Sequence, residues 1–201
     1  MAPHHKFIKA PRQDSYSPPP LPVLPDPFSL RDATTDANDV EQITRWMSEP
    51  HVAARWDQAW SVSRWCEEIS KQVNSGHSRP AFVLADGGPV AYIEIYRVEL
   101  DRLARYYSFA VGDLGIHIAI GEEARTGRGL GRRILRLTAE SLLREENGCR
   151  RVVAEPNVLN EVALRAFAAA GFHRVGEVEL PHKTAVLMVY PRNEDDLPLL
   201  S

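Results

Sequence analysis

Two hydrophobic periods divide this chain. Before residue 80 the apolar positions recur at helical spacing. In "TTDANDVEQITRWMSEP" Val40, Ile43, Trp46 and Met47 share one face, polar capping residues precede them and Pro50 marks the stop. "SVSRWCEEISKQVNSG" repeats the pattern with Val62, Trp65, Ile69 and Val73, and Gly76 ends it. From residue 80 the period shortens to two, and "AFVLA" and "PVAYIEIYRV" flank "DGG", the signal of a hairpin. A charged run, "ELDRLARYYSFAVGD", then leads to "LGIHIAI". There Leu114, Ile116, Ile118 and Ile120 take one face, and Gly115, His117 and Ala119 the other.

A glycine-rich loop follows, then a helix over 132–147 with Ile134, Leu135, Leu137, Leu142 and Leu143 inside and Gly148 closing it. Strand "RRVVAEP", helix "NEVALRAFAAAG" and two strands, "HRVGEVEL" and "AVLMVY", joined through "PHKT", complete the order. With a short strand at Phe28–Arg31, the series predicts an α/β chain of the mixed α+β kind. Its sheet holds two parallel strands joined by one crossover helix.

A length of 201 residues, 44% apolar and 25% charged, fits one soluble domain, and no stretch approaches the roughly 20 apolar residues of a membrane helix. The formal charge of -3 argues against nucleic acid or an anionic membrane as partner. Positive charge is local, with Arg125, Arg128, Arg132, Arg133 and Arg136 gathered in 121–136. Cys66 and Cys149 lack metal-ligand or redox spacing, so two reduced thiols in a cytoplasmic protein are expected, without metal. Three segments follow: a proline-rich N-terminal arm at 1–27, the domain at 28–191 and an acidic tail at 192–201. Trp46, Trp56, Trp60 and Trp65 are expected in the core, and His51 and His77 as surface or satisfied side chains. His173 and His182 receive no role.

In "RTGRGLGRRIL" alternating glycines stand directly before a helix, so backbone N–H groups and the positive helix end can meet an anion, with Arg128, Arg132 and Arg133 adding charge. A Walker loop is excluded because Leu-Gly-Arg-Arg stands where Lys-Ser or Lys-Thr is needed. A Rossmann fingerprint fails on its GxGxG spacing and on the two helices and hairpin that precede it. A pyrophosphate carried by an acyl-bearing cofactor remains.

The loop together with "NEVALRAFAAAGF" resembles the acyl-CoA-binding core of the GNAT superfamily over residues 28–191. Within it "PHVAARW", "YIEIYRVELD", "RYY", "DLGIHIAIGE", "EPNVLN" and "AGFHRVGEVELPHKTAVLMV" are similar to the acyltransferases of hydroxamate siderophore biosynthesis. The resemblance implies a mixed, mostly antiparallel sheet whose two central parallel strands splay at the acyl-CoA site, with helices on both faces. It implies acyl transfer from acyl-CoA to the side-chain amine or hydroxylamine of lysine, N6-hydroxylysine or a related diamine. Other siderophore enzymes are implied as partners. His117 and Glu155 match the catalytic positions. The coenzyme A site would take in Ile118, Ile120, Arg125, Thr126, Gly127, Arg128, Gly129, Leu130, Gly131 and Arg132, with Asn160 holding the donor arm. Three departures stand out: Thr126 for the usual Gln or Arg, Asn157 for Asp, and Phe167 where many relatives carry the tyrosine that protonates the departing thiolate.

An amine attacks a thioester only through its lone pair, so an ammonium must first lose a proton. Glu155, after the apolar "VVA", is expected to be partly desolvated with a raised pKa and able to accept it. His117 orients the acceptor, holds Glu155 or is itself the base, and the sequence leaves the three open. The structural alternatives are a hydrogen-bonded core histidine and a glutamate that ends a strand and caps a helix. Trp60, Glu94, Tyr96, Arg97 and Tyr107, with His117, are the candidate acceptor-pocket residues, and Gly115 to Ile120 the candidate source of an oxyanion-binding N–H. The rival functions are an aminoglycoside N-acetyltransferase, disfavoured by His117 in place of Asp, and an acyl-CoA sensor without turnover.

Overall fold

In the computed structural model, which describes residues 17–200, the period-two segments form one seven-stranded sheet. Its strands are β1 (Phe28–Asp32), β2 (Ser78–Ala85), β3 (Gly88–Arg97), β4 (Leu114–Ile120), β5 (Arg151–Ala154), β6 (His173–Leu180) and β7 (Lys183–Pro191). They lie in the order β1-β2-β3-β4-β5-β7-β6. Every pairing is antiparallel except β4 with β5, which are joined through helix α4 (Leu130–Glu145). Most of the proline-rich arm lies outside the described residues, as does Ser201. What is described of it lies against the domain: Val23 N–H donates to Ser141 Oγ at 2.9 Å and Arg79 Nη1 to the Pro19 carbonyl at 2.6 Å.

Strand alternation builds the two faces. Ile93, Ile95, Leu114 and Ile116 pack under α4 and α5 (Glu161–Ala170), against Ile134, Leu135, Ala139, Leu142 and Phe167. On the opposite face Phe82, Tyr92 and Ala119 meet Val40, Ile43, Trp46 and Met47 of α1 (Ala37–Ser48) and Trp65 and Ile69 of α3 (Val62–Ser75). A second apolar cluster on that face holds Tyr96, Leu103, Tyr107, Val153 and Leu187. His117 stands at the seam between these two clusters, its ring 5.9 Å from Trp56 of the first and 4.9 Å from Tyr96 of the second.

Local details differ from the pattern in two places. Pro50 ends α1 but also opens a further helix, α2 (Pro50–Trp56), because the first helical position needs no N–H donor. On α3, Val62 and Val73 are exposed while Gln72 is buried beside Trp65 and Ile69. The glutamine turns inward because its amide has a buried partner, Glu94.

β4 and β5 stay together only for Leu114 with Val152 and Gly115 with Val153. Beyond Ala154 the chain follows β7 instead, with Val186 N–H donating to the Pro156 carbonyl at 2.9 Å and Val158 N–H to the Thr184 carbonyl at 3.0 Å. A wedge therefore opens between β4 and β5. The β3–β4 ladder is bracketed by Gly121 N–H on the Val90 carbonyl and Val98 N–H on the Asp113 carbonyl. Antiparallel alternation then turns the backbone of residues 115, 117 and 119 toward β3 and the N–H groups of Ile118 and Ile120 into the wedge.

Candidate active site

His117 lies between two buried carboxylates. Its Nδ1 is 3.1 Å from Glu94 Oε2 and its Nε2 is 2.6 Å from Glu155 Oε1. A carboxylate only accepts, so both ring nitrogens donate and the ring is an imidazolium. Register explains the first contact, since Glu94 and His117 are direct partners across β3 and β4. The second spans the top of the wedge, where Glu155 follows the last residue of β5.

Each carboxylate has further donors. Gln72 Nε2 and the Tyr92 hydroxyl donate to Glu94 Oε1 at 2.9 and 3.0 Å. The Tyr96 hydroxyl donates to Glu155 Oε2 at 2.7 Å, and Lys183 Nζ donates to the Glu155 carbonyl at 2.6 Å while standing 3.8 Å from its Oε1. Gly115 makes room for this arrangement. A Cβ there would sit 2.0 Å from Cζ of Tyr96, its partner on β3.

Burial by itself would push both glutamates up and His117 down, and mutual charge reverses all three. The Glu155 charge and hydrogen bond, with those of Glu94, raise His117 to about 10. The His117 charge, then Lys183 and the Tyr96 hydroxyl, hold Glu155 well below the usual carboxylate range. Glu94 is lowered by its His117 hydrogen bond and charge, with Gln72 and Tyr92 adding to them. The raised pKa expected for Glu155 from desolvation is thus corrected: the desolvation is there, and the imidazolium outweighs it.

The glycine loop leaves β4 at the open end of the wedge, where His51 Nε2 meets the Ile120 carbonyl at 3.0 Å. Gly127 and Gly129 have φ of 70° and 80°, and Gly129 starts α4 with no side chain capping its first N–H groups. Leu130 and Gly131 begin the helix. Arg128 and Arg132 are exposed and make no ion pair among the described residues. Free amides, a 16-residue helix's positive end and two unpaired guanidinium groups fit a diphosphate. Thr126 gives its hydroxyl to the Glu123 carbonyl at 2.7 Å, and the exposed Arg125 has its Nε 3.2 Å from Glu122.

Of the predicted site residues, the structure joins His117, Glu155, Glu94 and Tyr96, with Ile118 and Ile120 on the adjoining strand. Glu94 and Tyr96 are 8% and 4% exposed, so they stand behind His117 and Glu155 instead of lining a pocket. Arg97 is corrected: strand alternation puts it on the other face, bonded to the Ser17 carbonyl at 2.8 Å and 3.6 Å from Glu146. Tyr107 is corrected too, because its hydroxyl is buried on Asp113 at 3.2 Å. Trp60 stacks on Trp65 at 5.0 Å, and the indole that meets His117 is Trp56. Phe167 lies in the core against Phe172 and is 5% exposed. Asn160 caps α5, its Oδ1 accepting from Ala163 N–H at 3.2 Å. Gln72, Tyr92, Trp56 and Lys183 were missed. A polar residue one turn from Ile69 on a buried stripe was the available sign of Gln72, and Tyr92 shares a strand face with Glu94.

The acetyltransferase (GNAT) domain family matches residues 35–180. The lysine N-acyltransferase MbtK of Mycobacterium sp. (strain MCS) is 35% identical over 180 residues, which are 90% of this chain and 73% of that protein. The N-hydroxyputrescine acetyltransferase of Acinetobacter baumannii is 30% identical over 160 residues, 80% of this chain and 76% of that protein. A solved structure of an uncharacterized protein from Bacillus halodurans has a TM-score of 0.76 at 32% identity, covering 83% of this chain and 84% of that one.

Proposed function

The chain belongs to the GNAT acetyltransferase family, and from that premise we propose that it acylates the terminal nitrogen of a lysine-type acceptor in hydroxamate siderophore biosynthesis. Acyl-CoA is the donor class of this family. The reading is supported by one observation above the rest: the His117–Glu155 pair stands where β4 and β5 begin to part, at the narrow end of the wedge. The same strand runs on into the anion-binding loop. A donor gripped at the loop and laid along Ile118 and Ile120 would bring its thioester to that pair, with a strand N–H available to the oxyanion.

The proton inventory favours one acceptor form. His117 already carries its proton, and Glu155, held low by His117, is a weak acceptor of another. An ammonium needs a base before it can attack, whereas an N-hydroxylated amine is already neutral at pH 7. N6-hydroxylysine or a related hydroxylamine therefore suits this charge state better than lysine itself. The proton released on attack leaves through Glu155 or water.

We place the reaction in the cytoplasm, between the enzyme that hydroxylates the amine and the one that consumes the hydroxamate; no helix among the described residues is long and apolar enough to cross a membrane. Purified protein with acetyl-, succinyl- and longer acyl-CoAs against lysine, N6-hydroxylysine, N5-hydroxyornithine and cadaverine tests the reading by thiol release and mass spectrometry. Acylated hydroxylamine is expected. CoA binding without thiol release for any pair would instead mark an acyl-CoA-binding module without turnover.

A further inference from the structure

The relatives act on an amino acid in one case and on a diamine derivative in another, by their names, so resemblance does not choose between these acceptors. The rim above Glu155 does. Inside, the charges of Glu94, His117, Glu155 and Lys183 cancel in contact with one another. Outside them two opposite charges stand without an ion pair among the described residues. One is Arg102, exposed on a single-turn 3-10 helix (Arg102–Arg105) that is fixed by Asp101 Oδ1 accepting from Leu103 N–H at 2.8 Å. Its Nη2 reaches only a neutral acceptor, His182 Nε2, at 3.4 Å. The other is Asp57, exposed at the end of α2 in the left-handed conformation, one residue beyond the Trp56 that packs on His117.

Each charge is one neighbour away from the His117–Glu155 pair, Asp57 through Trp56 on His117 and Arg102 through His182 beside Lys183. His182 precedes Lys183 in the β6–β7 turn, and Lys183 touches Glu155. Burial with the Arg102 and Lys183 charges lowers the His182 imidazole, while the Glu155 and Asp57 charges oppose it.

We propose that this rim selects an α-amino-acid acceptor, Arg102 and His182 taking its carboxylate and Asp57 its α-ammonium. A lysine-type substrate carries its reacting nitrogen on a flexible four-carbon stem, which separates the zwitterionic head from the reacting end. The head then stays at the rim while the stem passes Trp56 toward Glu155. A diamine has no carboxylate and forgoes the Arg102 contact. A polycationic aminoglycoside would meet Arg102 and Lys183 as like charges.

This inference rests on the acyl-transfer reading, and paired acceptors separate the two. Acylation of N6-hydroxylysine and N-hydroxycadaverine is measured with wild type, Arg102→Gln and Asp57→Asn, with circular dichroism as the folding check. A charge-assisted contact on a partly exposed rim is worth about tenfold. Arg102→Gln is expected to raise KM for N6-hydroxylysine about tenfold, leave kcat and N-hydroxycadaverine unchanged, and abolish the preference for the amino acid. Asp57→Asn should raise KM for both acceptors, because N-hydroxycadaverine keeps the terminal ammonium and lacks only the carboxylate. Equal losses on both acceptors from Arg102→Gln, or none, overturn the proposal. If wild type turns over neither, the acyl-transfer reading fails, and calorimetry with lysine and cadaverine then decides the rim: tighter lysine binding that Arg102→Gln removes supports it, equal binding refutes it.

Discussion

Glu94 and His117 oppose each other across β3 and β4, Oε2 to Nδ1 at 3.1 Å, and the carboxylate is itself fixed by Gln72 and Tyr92. Glu94 is therefore a positioning residue. It faces the core side of the imidazole and contributes to the charge that keeps the ring protonated.

Replacing Glu94 by Gln keeps the shape but removes that charge. The His117 pKa should fall from about 10 by about one unit or more, toward the ordinary 6.5. NMR titration of the imidazole reads this directly. An unchanged titration would mean that Glu155 alone sets the charge of His117.

Glu155→Gln leaves Tyr96 and Lys183 in place but removes both the proton acceptor and the partner of His117 Nε2. A fall in kcat of about 10²- to 10⁴-fold is expected. CoA affinity by calorimetry should hardly change, because the loop lies at the other end of the wedge. A loss confined to CoA binding would remove Glu155 from the chemistry.

The triad also makes stability depend on pH, and the sign differs for its members. His117 is raised from 6.5 to about 10, so its contribution is complete below 6.5 and lost as pH rises through about 10. Glu155 is depressed below 4.5, so its contribution is present above 4.5 and lost as pH falls toward its folded value. Together they stabilise most between 4.5 and 6.5. Urea unfolding of His117→Gln should show a flatter pH dependence than wild type from pH 7 to about 10. Parallel curves would show that His117 is not an imidazolium in the folded state.

The sheet and the loop were legible because both are written in local periods. Alternation placed His117 opposite the face of Leu114, Ile116, Ile118 and Ile120, and the alternating glycines at the start of α4 announced a backbone approach to an anion. The triad was only half legible. His117 and Glu155 were found through resemblance, but that Glu94 completes them depends on β3–β4 register, which no single segment encodes. Arg97 failed for the opposite reason: three residues past Glu94 on the same strand, it lies on the other face. The Glu155 pKa was misjudged because burial can be read from neighbouring apolar residues, whereas a cation contributed by another strand cannot.

Gly115→Ala tests the packing beneath Glu155. Its Cβ would meet the ring of Tyr96, which is rigid and 4% exposed, at 2.0 Å from Cζ. Overpacking of that kind costs about 1–3 kcal/mol, and the displaced ring takes its hydroxyl from Glu155. Thermal unfolding should shift down and kcat should fall together. Tyr96→Phe, which removes the hydroxyl and keeps the packing, should lower kcat with a smaller loss of stability; an unchanged kcat would show that the hydroxyl has no part in holding Glu155.

The loop reading is tested by donors that differ only in their diphosphate. Arg128 and Arg132 make no ion pair among the described residues, Arg133 lies over the Phe28 ring at 4.9 Å, and Arg125 is paired with Glu122. Arg128→Ala and Arg132→Ala should each raise KM for acyl-CoA about five- to tenfold with kcat unchanged, since a phosphate contact of this kind is made equally in the ground and transition states. Arg125→Ala should do much less. With the corresponding acyl-pantetheine, which lacks the diphosphate, the wild-type KM should be high and none of the three substitutions should change it further. Added salt should weaken the acyl-CoA reaction more than the acyl-pantetheine one. Were Arg128→Ala to slow both donors alike, the arginine would be shaping the loop itself, and the diphosphate would have to be held elsewhere along β4 and α4.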